Sequence, residues 1–185
     1  MEKYMDRSPG SLLLTEHRYI TKLVGIVALH VEAIETGKAP DYDLLAEVVD
    51  FLQIYADQNH HGKEEALLFH LLEQKGVPGV GCPLGALKHE HVTGRALVAE
   101  LAGLVTDHHE ESDIATEELV ICLKGLVTLY TNHIWKEDYL LLPMTDKVLT
   151  YEEQSKLVNE FDRADNLLGE EKIRRFEVWV EGFIM

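Results

Sequence analysis

The 185-residue chain is predicted to be all-α, an up-down-up-down antiparallel four-helix bundle with one or two short C-terminal helices. Three observations predict it. Apolar residues recur at helical spacing through four long segments. Gly and Pro clusters between those segments leave only short connections, which favour antiparallel neighbours. No stretch shows the period-two alternation of a half-buried strand. The bundle is expected over residues 1–148, with 149–185 a helical extension packed on the same domain. A chain of this length can bury a proper core.

Each element has its own signals. Ser8-Pro9 reads as a helix start, because Pro suits the first turn, where an N–H lacks a partner anyway. The run "LLLTEHRYITKLVGIVALHVEAIETG" continues helically until Gly37 and Pro40 stop it. Asp41 can cap a second helix that reaches about Lys75, with Gly76 as its C-terminal signal. "GVPGVGCPLG" (76–85) is a loop at the midpoint of the chain, and a third helix covers roughly 85–107. The polar turn "DHHEESD" ends in Ser112 or Asp113 as the cap of a fourth helix, expected to run to about Leu142 and to be stopped by Pro143. Thr150-Tyr-Glu-Glu153 fits a capping box, and Gly169 divides that fifth helix from an amphipathic piece, "EEKIRRFEVWVEGFIM".

The net charge of −16 argues against nucleic acid and against anionic membranes as partners. The most apolar run, Ile20 to His30, is interrupted by Thr21, Lys22 and Gly25, so no membrane span is expected. No signal-peptide pattern opens the sequence. Cys82 and Cys122 stand 40 positions apart with no CxxC, which suggests a reducing compartment and a cytoplasmic protein.

One word is written twice. "HHGKEEALLF" (60–69) and "HIWKEDYLLLP" (133–143) both carry His first, Lys three on, Glu four on, an acid five on, and Leu-Leu at seven and eight. A second phrase is doubled upstream: Glu16-His17 opens "EHRYITKLV" and Glu90-His91 opens "EHVTGRALV". His17 precedes His60 by 43 residues, and His91 precedes His133 by 42. The chain therefore reads as two helical hairpins of one design. Each has a lone His on its first helix and His-x-x-x-Glu on its second.

Four residues along an α-helix turn about 400°, so His60 and Glu64 point the same way one turn apart, as do His133 and Glu137. If the lone imidazoles face inward, six donors converge: His17, His60, Glu64, His91, His133 and Glu137. Such groups are costly to bury unpaired but suit a pair of cations, with two imidazoles per metal and the two carboxylates bridging. Nitrogen and carboxylate donors with open positions fit Fe, with Mn or Zn as substitutes.

These phrases, together with "HEHVTGR", resemble the hemerythrin-like HHE cation-binding family over about residues 12–145. The resemblance implies a non-haem di-iron centre, carboxylate- and oxo- or hydroxo-bridged, in a four-helix bundle. It puts His60 and Glu64, not His61 and Glu65, in the ligand register, as the internal repeat does independently. There are departures. Oxygen-carrying members have a HxxxH on the third helix, whereas Leu87 stands four before His91. Their fourth helix offers Asp five beyond the His, and here Glu137 is four beyond, with Asp138 as the alternative bridge. The similarity is closer to the broader group of sensors and iron-sulfur repair proteins, whose cysteine-bearing N-terminal segment is not matched.

The implied function is a metal-binding protein that binds or senses a small molecule such as dioxygen, nitric oxide or peroxide. The alternatives are a di-iron oxidoreductase or scavenger, or an iron storage or repair protein. The sequence offers no separate nucleophile, nucleotide loop or organic-substrate cleft, which favours binding or sensing over a classical enzyme. Apolar positions in the C-terminal helices would serve a homodimer or a protein partner.

Other residues carry weaker expectations. His61 is either a fifth nitrogen donor or, as favoured, a rim residue. Glu65 and Asp138, about 100° from the ligand carboxylates, are expected on the rim or supporting the ligands. Lys63 and Lys136 are expected as solvated flanks, and Glu16 and Glu90 as facing water rather than orienting neighbours. His30, His70, His89, His108 and His109 are read as packing or surface residues. Tyr130 is either a core aromatic or a hydrogen-bond partner within the site. Trp135, Phe176 and Trp179 are read as packing.

Overall fold

The fold was described from a computed structural model covering residues 7–81, 83–107 and 113–183. His108, His109, Ser112 and Cys82 fall outside those residues. Every regular element among the described residues is helical, and the helices pack on one another as a bundle. No helix among them is long and apolar enough to cross a membrane.

Helix α1 spans Pro9–Glu35. The Ser8 side chain accepts from the Ser11 N–H, and the Ser11 hydroxyl accepts from the Ser8 N–H in return, closing the first turn. Gly37, at φ +94°, turns the chain out of the helix. Asp41 caps α2 (Tyr42–Asp50) by accepting from the Leu44 N–H at 2.9 Å.

From Asp50 the same rod continues, but more widely wound. Phe51–His61 and Glu64–Phe69 are π-helical, and α3 (His70–Gln74) completes it before Gly76 at φ +89°. The sequence predicts one helix to about Lys75, and the rod has that length. What periodicity does not announce is the π winding, which is rare and tends to occur at functional sites.

Helix α4 is Leu84–Thr106, and α5 is Asp113–Lys136. The expected stop at Pro143 does not occur. A π-helical stretch, Glu137–Leu141, leads directly into α6 (Leu142–Val148), with Pro143 in its first turn. There the ladder changes register and a missing N–H costs least, so proline is tolerated. Thr150 and Glu153 form the expected capping box of α7 (Tyr151–Leu168), and Gly169 at φ +105° separates it from α8 (Glu170–Glu181).

The core is split. One apolar cluster holds Ile20 to Ile34 of α1, Leu45 to Ala56, Val98 and Leu101 of α4, Leu119 to Ile134 of α5, and Phe176 and Val180 of α8. The other gathers Leu13, Leu68, Phe69, Leu72, Leu84, Leu87, Leu141, Leu142, Leu157 and Phe161. Between them, at the middle of four long helical segments, lies a layer of buried polar side chains.

Candidate metal centre

That layer is built by the doubled phrases. His17 comes from α1, His60 and Glu64 from the π-wound rod, His91 from α4, His133 from α5 and Glu137 from the π stretch after it. All six are buried, none more than 3% exposed.

They converge as two pairs of imidazoles with carboxylates between them. His17 Nε2 and His60 Nε2 are 3.0 Å apart, and His91 Nε2 and His133 Nε2 are 3.1 Å apart. Glu137 turns one oxygen to each pair: Oε2 lies 3.1 Å from His17 Nε2, and Oε1 lies 3.0 Å from His133 Nε2. Glu64 Oε2 sits 3.7 Å from His60 Nε2 and 3.5 Å from His91 Nε2. Despite this proximity, no oxygen of Glu64 or Glu137 makes an oriented hydrogen bond among the described residues.

The outer nitrogens are all committed. His17 Nδ1 meets Asp138 at 2.6 Å, His60 Nδ1 meets Glu16 at 2.8 Å, His91 Nδ1 meets Glu65 at 2.6 Å and His133 Nδ1 meets Glu90 at 3.0 Å. A carboxylate only accepts, so each Nδ1 must carry the hydrogen. In its neutral form each ring then presents a bare Nε2 lone pair to the centre, the form in which imidazole binds a metal.

The pattern obeys the internal repeat. The acid before each lone His holds the His of the other helix in its own hairpin. The acid after Glu64 or Glu137 holds the lone His of the opposite hairpin. Glu16 and Glu90, expected to face water, therefore orient ligand candidates.

The lysines of the doubled word also have a place. Lys63 donates to Glu16 and, at 2.6 Å, to Asp165 of α7. At 2% exposure it is no solvated flank. Lys136 donates to Glu90 and is half-buried. Arg95 donates to Glu65 at 2.7 Å and to Asp57 at 2.8 Å.

Charge in the layer is strongly polarised. Burial would lower the His17 and His133 pKa values, but for His17 the bond it makes to Asp138 and the facing Glu137 carboxylate, and for His133 the facing Glu137 carboxylate and the bond it makes to Glu90, outweigh it and carry each to about 9. Burial would raise Glu137 too, yet the facing imidazoles hold it well below the usual carboxylate range. Glu64 is pushed well above that range by burial and by the neighbouring Glu137 charge. Hydrogen bonding to His91 brings Glu65 down to about 2. In the metal-free protein, protons thus neutralise part of a cluster of lone pairs and carboxylates.

Three donor groups have ligand atoms all within 4.8 Å of one another: His17, His60, Glu64 and Glu137; Glu64, His91, His133 and Glu137; and His61, His91 and His133. The family model of the hemerythrin HHE cation binding domain matches residues 8–145. The chain belongs to that family. No curated protein and no solved structure matches it. Membership of the hemerythrin HHE family implies cation binding, and the two four-donor groups suit a cation as unpaired buried carboxylates do not.

Several residues fall elsewhere in this HHE domain. His30 Nε2 accepts from the Asp41 N–H at 3.2 Å, while His70 and His89 are exposed. Leu87 is fully buried below the centre. Phe176 and Trp179 pack on the larger core. Trp135, expected to pack, is instead 55% exposed and rests on exposed Tyr139. His61, expected at the rim, is 3% exposed and stacks on His91 with ring centroids 3.9 Å apart. Its adjacency to His60 was the only sequence signal for it.

Proposed function

We propose that this HHE protein holds two irons in a non-haem centre and binds a small molecule such as dioxygen, nitric oxide or peroxide there. His17 and His60 would serve one iron, His91 and His133 the other, with Glu64 and Glu137 between them. The observation that carries the reading is the pair of facing Nε2 contacts, 3.0 and 3.1 Å, among rings whose Nδ1 hydrogens are already donated. Two bare lone pairs repel at that distance unless a proton or a metal cation lies between them, and the ring of buried carboxylates favours the cation.

Iron suits this mixed nitrogen and carboxylate set, with Mn or Zn as substitutes. An iron pair would supply redox electrons and an open coordination position. The chain's own residues supply the rest. The acids fix each imidazole, and the apolar clusters on either side exclude water. His17 and His133 store protons close to the centre.

The up-down-up-down reading is supported by the ends of the long segments. Leu13, Leu72, Leu84 and Leu141 share one cluster, while Ile34, Leu45, Leu101 and Leu119 share the other. The cytoplasmic expectation is in keeping with a free, buried Cys122. Anaerobic titration with Fe(II), followed by visible spectra before and after admitting oxygen, tests the function. Two irons per chain and a new charge-transfer band are expected. Fewer than two bound ions, or no spectral response to any of the three ligands, would overturn the reading.

One observation favours a sensing version. His60, Glu16, Lys63 and Asp165 form a continuous hydrogen-bonded chain from the centre to α7, and among the described residues its counterpart through Lys136 ends at Glu90. Such a chain would pass the state of the centre to the C-terminal helices, and through them to a partner protein or a second copy. Protease sensitivity of residues 150–183 should then differ between apo and loaded protein.

A further inference from the structure

The two hairpins differ in a way that ligation does not use. Tyr19 stands two places after His17 and Tyr55 five before His60, whereas the matching positions of the second hairpin are Thr93 and Thr128. Five residues is the span of one hydrogen-bonded π turn, so the fully buried Tyr55 lies one turn along the π-wound rod from His60. The two tyrosine rings meet edge to face, with centroids 6.0 Å apart. Each hydroxyl donates to its own carboxylate of α8 at 3.3 Å, Tyr55 to Glu177 and Tyr19 to Glu181. Tyr19 is half-buried and lines an open surface groove.

A phenol that loses an electron becomes far more acidic, so it needs an acceptor for its proton within hydrogen-bond reach. Burial first, and then the charges of Glu16 and Glu177, push the Tyr55 pKa far up, so the phenol keeps its proton until an electron leaves. The same negative charges favour removal of that electron. Burial raises the Glu177 carboxyl, which makes it a readier acceptor. Tyr130, three residues before His133, is buried as well, but it makes no hydrogen bond to a carboxylate among the described residues.

We propose that Tyr55 and Tyr19 are a redox-active pair that carries electrons, one at a time, from the surface groove to a peroxide bound at the centre. The inference rests on the two-iron reading above, with peroxide as the ligand. Tyr55 gives the first electron, is refilled by Tyr19, and gives the second. One hydrogen peroxide and two phenols thus yield two waters and two phenoxyl radicals. The O–O bond and two phenolic O–H bonds break, and two O–H bonds of water form. Each phenolic proton passes first to Glu177 or Glu181, and an equal number is taken up where water forms. A two-electron, two-proton donor such as ascorbate, meeting Tyr19 in the groove, restores both phenols and leaves as dehydroascorbate.

The experiment uses the full chain loaded with iron and oxidised in air, so that electrons for peroxide must come from the protein. Hydrogen peroxide is added, samples are freeze-quenched, and electron paramagnetic resonance is recorded. The expected result is a tyrosyl signal that narrows with ring-deuterated tyrosine and is removed by ascorbate. The metal-free chain should give none. Tyr55→Phe should lose most of the signal at unchanged iron content, and Tyr130→Phe should keep it. Tyr19→Phe should keep the Tyr55 signal but lose its fast removal by ascorbate. Glu177→Gln, which leaves both rings in place, should cut the radical yield about tenfold, and it serves if Tyr55→Phe does not fold. A two-iron protein that gives no tyrosyl signal with peroxide, or a signal undiminished in Tyr55→Phe and Glu177→Gln, would overturn the proposal. A wild-type protein that binds fewer than two irons would instead overturn the two-iron reading, so the two failures are distinct.

Discussion

His17 and His60 lie 43 residues apart in the chain, yet their Nε2 atoms meet at 3.0 Å while each Nδ1 is held by a carboxylate, Asp138 at 2.6 Å and Glu16 at 2.8 Å. The relationship ties protons to metal. In the apo protein His17 titrates near 9, so at neutral pH a proton occupies the space between lone pairs that a cation would take.

Metal binding should therefore release protons. His17 and His133 titrate near 9, so loading at pH 7 should release about two protons per chain from these rings. Calorimetry in buffers of different ionisation enthalpy measures the number. Release should decline as pH rises past 9, and affinity should rise with pH up to that point. Metal uptake without proton release would contradict the arrangement.

The same groups make apo stability depend on pH, with a definite sign. The folded pKa values of His17 and His133, about 9, lie above the ordinary 6.5. Their contribution is complete below 6.5 and is lost as pH rises through 9. Glu65, lowered to about 2, contributes above the ordinary 4.5 and loses that contribution as pH falls toward 2. Denaturant midpoints of the apo protein should thus decline between pH 7 and 9.5, while the loaded protein, with an ion in the protons' place, should stay nearly flat. Parallel slopes for both forms would count against this.

Much of this centre is legible in the sequence, because the repeat constrains it. His60–Glu64 can be chosen over His61–Glu65 since only the first pair has a twin at His133–Glu137, and the structure brings those four together. Glu65 and Asp138 support imidazoles, as their angular offset suggested. What was not legible depends on other helices. Nothing local distinguishes a Lys63 in water from one enclosed by Glu16 and by Asp165, 102 residues away. The π winding at Phe51–His61 and Glu137–Leu141 leaves the apolar period too little changed to be read, and with it went the burial of His61 and the passage of the helix through Pro143.

Function and stability should conflict at Glu64. Its carboxyl is fully buried and finds no oriented partner among the described residues, an unfavourable state without a cation. Glu64→Leu should leave the apo fold intact and raise its stability by about 1–3 kcal/mol, while abolishing the second bound ion. Thermal melts with and without metal measure both effects. Loss of apo stability would show that Glu64 has a structural partner.

The supporting acids should matter less than the ligand candidates but in a graded way. Each of Asp138→Asn, Glu16→Gln, Glu65→Gln and Glu90→Gln keeps the shape and removes the charge that sets an imidazole's tautomer. Affinity should fall about 10- to 100-fold for each, as measured by chelator competition. Affinities equal to wild type across all four would mean that the Nδ1 contacts do not tune the centre.

The two lysines of the doubled word should separate most sharply. Lys63→Met removes a cation that is 2% exposed, leaving Glu16 and Asp165 to face each other with no positive charge between them. Breaking a buried network in this way costs about 3–5 kcal/mol, and part of it should return at low pH as the acids protonate. Lys136→Met removes the twin, whose side chain is 27% exposed, so water can replace it at a cost of about 1 kcal/mol or less. Urea midpoints of the two variants, in the same apo state, measure the difference. Equal costs would mean that the Asp165 link to α7 contributes nothing, and the proposed route from the centre to the C-terminal helices would fail with it.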